Sequence, residues 1–138
     1  MTDSQCVCTG LKMAARVVSR TYDAAFEPLG IGPEQYSILI RLRRQGPVAL
    51  MKLANELEME RTTLYRGLSL LEKDGLIKLA DTGSGVARQA ALTAKGRKLT
   101  NKAEQRWRRV HERFAKSFGR QRLEALNETL RQVREEFR

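Results

Sequence analysis

Leu50–Gly75 reads LMKLANELEMERTTLYRGLSLLEKDG. Leu50, Leu53, Ala54 and Leu57 recur at steps of three and four, the inner face of one short helix. Leu64, Leu68 and Leu71 recur at i, i+4 and i+7 and predict a second. Glu58 falls in the tight corner between them. Glu60 is the expected N-cap of the second helix, a weaker cap than Asp or Ser. Gly75 suits the position just past its end, after Lys73-Asp74. Ala54 is small, which lets two helices cross steeply. The pair reads as a helix-turn-helix. Its second helix turns Arg61, Thr62, Tyr65, Arg66 and Ser69 outward, with Thr63 near the edge.

Downstream, Leu76–Ala80 reads as a short strand, Asp81–Gly85 as a turn cluster and Val86–Leu92 as a returning strand. That hairpin is a two-stranded wing beside the helix pair. Upstream, Leu11, Ala15, Val18, Tyr22, Ala25, Phe26 and Leu29 share one helical face. Pro28 ends that helix, because the residue before a proline is pushed out of the α region. Pro33 suits the first turn of the next helix, whose buried face is Tyr36, Leu39, Ile40 and Leu42. Arg41, Arg43 and Arg44 lie toward the negative end of its dipole, and Gly46-Pro47 stops it.

Thr93 is placed to cap a further helix, although Lys95-Gly96 weakens its first turns. Leu99, Ala103, Trp107, Val110, Phe114 and Phe118 then recur at three and four. Gly119 interrupts, and Leu123, Leu126, Leu130, Val133 and Phe137 continue as a heptad-like seam. A small winged core cannot bury all these faces, so the terminal helices are expected to pack against a second copy of the chain. Trp107 belongs to that interface. The reading is a single mainly α (α+β) domain over 1–138: N-terminal helices over 1–45, a winged helix-turn-helix over 46–93 and C-terminal dimerisation helices over 94–138.

The chain of 138 residues carries a formal net charge of +10. An excess of this size attracts polyanions, nucleic acid first and anionic membrane second. Residues 1–45, 46–98 and 99–138 carry +2, +3 and +5, so net charge does not locate the site. No run approaches the roughly 18 to 20 apolar residues of a membrane span. The N-terminus has neither a basic nor an apolar leader region, and the cytoplasm is expected. Cys6 and Cys8 are too close in sequence to staple a fold. With one histidine, no glycine-rich phosphate loop and no paired carboxylates in a credible cleft, no enzyme, metal or cofactor site is expected.

The outward set of the second helix carries the chemistry of reading double-stranded DNA. Arg61 and Arg66 can donate two hydrogen bonds to a guanine edge or clamp a phosphate. Thr62 and Thr63 sit in the first turn, beside free backbone N–H groups. Tyr65 can stack on a sugar, touch a thymine methyl or donate to a phosphate. Arg88, on the returning strand, can enter a minor groove. Lys78, Lys95, Arg97 and Lys98 are further phosphate anchors. The alternatives are a solvated polar helix face and a solvent-facing strand arginine.

The segments PLGIGPEQYSIL, LANELEMERTTLYRGLSLLEKDGLI and ALTAKG, with a glycine-bearing hairpin before the last, resemble the MarR family of winged helix-turn-helix regulators. The resemblance covers nearly the whole chain. It implies a two-fold homodimer on a pseudo-palindromic operator, usually a repressor released by a small ligand or an oxidant. Three features depart from the pattern. Glu58 stands where a small residue is usual, and Gly67 interrupts the second helix. The wing pair Asp-x-Arg falls on Ser84 and Val86, so Arg88 matches only a second, less regular wing arginine. Cys8, followed by Tyr22, resembles the organic-hydroperoxide-sensing branch, in which tyrosines of the partner subunit hold the oxidised cysteine. The second tyrosine is replaced by Lys12, which can favour a thiolate; the alternative is a pair of ordinary cysteines. Tyr22, Phe26 and Tyr36 are the expected lining of a ligand crevice, with plain core packing as the alternative. Two other function classes fit the same features: a non-specific architectural DNA binder, and a protein-interaction module built on the terminal heptads.

Overall fold

Helix α1 (Val7–Phe26) opens the computed structural model, which describes residues 6–81 and 88–138. A 3-10 turn at Glu27–Leu29 holds Pro28, and Gly30 follows at φ +72°. Helix α2 (Pro33–Gln45) starts with its proline in the first turn, where the Gly32 N–H donates to Gln35 Oε1 at 3.0 Å. Then come β1 (Val48–Ala49), α3 (Leu50–Leu57), α4 (Arg61–Lys73), β2 (Ile77–Asp81) and β3 (Arg88–Leu92). Helices α5 (Ala94–Phe118) and α6 (Arg120–Phe137) close the chain, separated by Gly119 at φ +100°. No helix among the described residues is long and apolar enough to cross a membrane.

The sheet has three antiparallel strands in the order β1-β3-β2, not two. Val48 pairs with Ala90, Ile77 with Leu92 and Asp81 with Arg88. Two residues are too few to show alternation, so β1 has no pattern of its own in the sequence. Residues 82–87 lie outside the described residues, and with them Ser84, Val86 and most of the expected turn cluster.

The core gathers where the elements cross. Phe26, Leu39, Leu53, Leu64, Leu68, Leu71, Ala90 and Ala103 are fully shielded from solvent. Burying each of the large side chains contributes roughly 1.5–3 kcal/mol. The corner between α3 and α4 turns on Glu58 at φ +52°, the only non-glycine with positive φ among the described residues. That left-handed conformation is why a small residue or glycine is usual there. Arg138, at the end of α6, donates to the Glu58 carboxylate. Glu60 occupies the N-cap of α4 without a side-chain hydrogen bond.

The junction into α5 corrects one expectation. Thr93 caps the helix, accepting from the Gly96 N–H at 3.0 Å, and its hydroxyl donates to the Gly75 carbonyl at 2.6 Å. Gly96 does not merely weaken this turn. A Cβ there would overlap the Leu76 carbonyl oxygen, which accepts the Thr93 N–H at 3.1 Å. Only glycine lets α5 sit this close to the segment leaving α4.

The terminal helices leave apolar surface open. In α1 only Phe26 is buried, and α6 has no buried residue. Helix α1 begins at Val7, so Cys8 lies inside its first turn rather than before it, with Cys6 as the extended N-cap.

The two glycines give opposite expectations in thermal denaturation. A Cβ at Gly67 would meet Ile38 Cδ1 at 3.6 Å, an ordinary contact. Gly67→Ala is therefore expected to stabilise by about 0.5–1 kcal/mol, seen as a Tm raised by a few degrees. Gly96→Ala is expected to lower Tm. A fall with Gly67→Ala, or no change with Gly96→Ala, contradicts this packing.

Candidate nucleic-acid interface

Helix α4 has two unlike faces because of its leucine spacing. Leu64, Leu68 and Leu71 point into the core at 0% exposure. The opposite face is then forced outward, and Arg61, Thr62, Thr63, Tyr65, Arg66 and Ser69 are all exposed. Tyr65 keeps 42% of its surface in solvent.

The start of this helix is open. The first four N–H groups of a helix lack the intrahelical partner that later residues have. Here the N-cap side chain accepts nothing, and the first turn holds no acidic residue. The N–H groups of Arg61, Thr62 and Thr63 thus lie at the positive end of the α4 dipole, beside the Arg61 guanidinium. An anion meets charge, hydroxyls and amide donors at one place.

Arg88 stands apart on β3. It pairs with Asp81 across the strands at 3.8 Å, and both side chains are exposed. That loose surface pair leaves Arg88 able to exchange its partner for another anion. Lys78, Arg97 and Lys98 are exposed. Lys95 is turned back, donating to the Asp74 carbonyl at 2.8 Å, so it caps α4.

One feature of α4 lay outside the expected set. Leu70 is 51% exposed although the inner leucines imply a polar position. With Thr63, Arg66 and Gly67 it borders a crevice of about 550 Å³, whose other wall includes Asp23 and Gln35. An apolar residue out of phase with the inner face was the signal in the sequence.

The three aromatics expected in a ligand crevice divide. Phe26 is fully buried, Tyr36 is 7% exposed, and their rings stack at 4.9 Å. Both are core residues, because the α1–α2 crossing needs bulk there. Tyr22 alone borders open space. It lines an apolar gap of about 540 Å³ between α1, α5 and α6, with Leu11, Val18, Trp107, Phe114 and Leu126. Burial pushes the Tyr22 hydroxyl pKa up. It does the same at Tyr36, against the opposing effect of Arg43, Arg44 and Arg108.

Cys8 and Tyr22 sit on one straight helix fourteen residues apart, about 21 Å at 1.5 Å per residue. They cannot touch within one chain, and a contact between them has to cross between two chains. Both cysteines are free and exposed. The neighbouring Thr9 hydroxyl and amide favour the thiolate of Cys6 and hold its pKa below the ordinary value.

Comparison with known proteins agrees with this geometry. The sequence model of the MarR family matches residues 31–79, the stretch from α2 through α4 into β2. The crystal structure of the M. tuberculosis transcriptional regulator MosR is 31% identical, with a TM-score of 0.83 over 97% of this chain and 98% of that one. MosR has also been solved in complex with DNA. The transcriptional repressor CouR of Rhodococcus jostii RHA1, bound to p-coumaroyl-CoA, is 25% identical with a TM-score of 0.88, over 98% of this chain and 96% of that one. The Bacillus subtilis (strain 168) HTH-type transcriptional regulator YwoH is 24% identical over 106 residues, 77% of this chain and 72% of its own.

Alkylation by iodoacetamide should separate the two thiols. With Cys8→Ser, the remaining Cys6 is expected to react with a pH–rate midpoint below that of a free thiol, because its thiolate is favoured. Thr9→Val should move that midpoint upward. A Cys6 midpoint unmoved by Thr9→Val contradicts Thr9 as the cause.

Proposed function

Because the chain belongs to the MarR family of transcriptional regulators, we propose that it is a homodimeric repressor that reads a pseudo-palindromic operator through α4. The observation that carries this reading is the exposed face of Arg61, Thr62, Tyr65 and Arg66 on a helix whose opposite face is wholly buried. Arg61 and Arg66 reach base edges or phosphates. Thr62 and Thr63, with the open amides of the first turn, receive a phosphate. Tyr65 packs on sugar or a thymine methyl, and Arg88 exchanges Asp81 for the backbone of a flanking groove. The DNA complex of MosR, 30% identical to this chain, supports the reading.

Residues 46–93 form the reading unit, and the helices of 1–45 and 94–138 hold two copies together. The apolar gap between α1, α5 and α6 and the uncovered α6 seam support a dimer. Two such α4 helices, about one helical turn of DNA apart, fit successive major grooves. Release follows from a small ligand that favours another spacing of the two helices, or from oxidation of Cys8 near the partner's Tyr22. CouR, with its bound p-coumaroyl-CoA, supports release by a ligand. A non-specific architectural role would use the same charge of +10 without reading bases.

In a titration at fixed salt, Arg66→Ala is expected to weaken operator binding by about tenfold or more and to relax sequence preference, as loss of a contact worth about 1–3 kcal/mol would. Unchanged affinity and preference contradict the assignment of Arg66, and a ratio of operator to random-duplex affinity near one favours the architectural role. For oxidation, hydroperoxide should release the wild type from operator and leave Cys8→Ser bound. Equal release of both removes Cys8 from the mechanism.

A further inference from the structure

Glu72 stands against the dipole of its own helix. It lies in the last turn of α4, where the negative end disfavours a carboxylate. Among the described residues it enters no ion pair that would offset this. Its carboxylate instead accepts the backbone N–H of Leu79, on β2, at 2.9 Å.

That N–H belongs to the open edge of the sheet. The order β1-β3-β2 leaves β2 with a strand on one side only, among the described residues. The Thr93 N–H donates to the Leu76 carbonyl at 3.1 Å, and these two residues stand opposite each other when the register of Ile77 with Leu92 is continued. Bonded and open pairs alternate along an antiparallel ladder. Lys78 and Ala80 therefore turn their amides to β3, while Ile77, Leu79 and Asp81 turn theirs outward. Glu72 meets one of these outward donors in the place where another strand would.

The level of this contact matters. Leu79 pairs with Ala90, and Ala90 pairs with Val48 of β1. The hairpin is thus held from both edges at one level, by β1 on one side and by Glu72 on the other. Strand β1 ends at Ala49, opposite Gln89, so the next pair, Asp81 with Arg88, has no strand beside it among the described residues. Two-stranded ribbons twist freely and are marginal by themselves. The direction in which Arg88 leaves the protein is then set where the ribbon is last held.

We propose that Glu72 is a positioning residue for the wing: its carboxylate clamps β2 to the end of α4 at Leu79 and so fixes where Arg88 is presented relative to the outward face of that helix. A carboxylate suits the task, since a charged acceptor makes a shorter and stronger bond to an amide than a neutral one. The use of this direction on DNA rests on the repressor reading above; the clamp does not.

Amide hydrogen exchange of the full chain, read residue by residue by NMR without DNA, tests the clamp. The Leu79 amide should exchange about tenfold or more slowly in the wild type than in Glu72→Ala. Glu72→Gln, which keeps an acceptor, should retain the protection, and Lys78 and Ala80 should be unaffected in both variants. Operator titration at fixed salt then tests the consequence. The two variants carry the same charge, so their difference isolates the hydrogen bond. Glu72→Ala should bind about threefold or more weakly than Glu72→Gln, and the difference should vanish when both also carry Arg88→Ala. The proposal is overturned if Leu79 exchanges equally fast in the wild type and Glu72→Ala, or if Lys78 and Ala80 lose protection with it, which marks a loosened sheet. It is also overturned if the two variants bind operator alike, or if their difference survives Arg88→Ala. Leu79 protection that follows Glu72, in a wild type with no preference for operator over random duplex, supports the clamp and counts against the repressor reading alone.

Discussion

The burial of Leu64, Leu68 and Leu71 sets the rotation of α4 about its own axis, and much else depends on that rotation. Each leucine is completely removed from solvent, a contribution of roughly 1.5–3 kcal/mol apiece. Turning the helix by one residue would expose all three and carry polar neighbours into the core. The polar face is thus not chosen independently. Arg61, Thr62, Tyr65 and Arg66 point outward because the leucines point inward. Gly67, close against Ile38, lies on the flank between the two faces.

A second constraint ties this outward face to the helices of the proposed dimer. Thr93 caps α5 while its hydroxyl holds the Gly75 carbonyl, and Gly96 lies against the Leu76 carbonyl. The start of α5 is thereby seated on the residues that leave α4. From there α5 runs 25 residues, about 37 Å, and is pinned to α2 through Arg43, Asn101 and Glu104. The same rigid element reaches from the base of the wing to the apolar gap lined by Trp107 and Phe114. Anything that shifts α5 at that gap shifts α4 at the other end. In the proposed homodimeric repressor this is a physical route from an effector or a second chain to α4, the helix proposed to read DNA.

Much of this architecture was legible from apolar spacing. The faces of α2, α3, α4 and α5, the cap at Thr93 and the break at Gly119 all follow from residues three and four apart or from single turn residues. Features that depend on contacts far apart in sequence were not legible. Strand β1 exists only because Val48 finds Ala90. Gly96 looks like a weak helix residue until Leu76 is beside it. Glu58 looks like a poor corner residue, and its positive φ explains why. Tyr36 falls on the apolar face of α2 and was readable as buried, but Phe26 shares a helical face with Tyr22, and only the packing of α1 on α2 decides that Phe26 is buried and Tyr22 is not. At the candidate site, the outward set of α4 was readable from the same period that marks its core. The pairing of Arg88 with Asp81 and the turning of Lys95 onto Asp74 were not, since each depends on where a neighbouring element ends.

The central claim is that the outward face of α4, presented twice, reads sequence. Selection of bound duplexes from a randomised DNA library by the full chain tests it most directly. The expected result is enrichment of a two-fold symmetric motif, with half-sites about one helical turn apart. Bound duplexes with the same base composition as the starting library, and no shared motif, would contradict it.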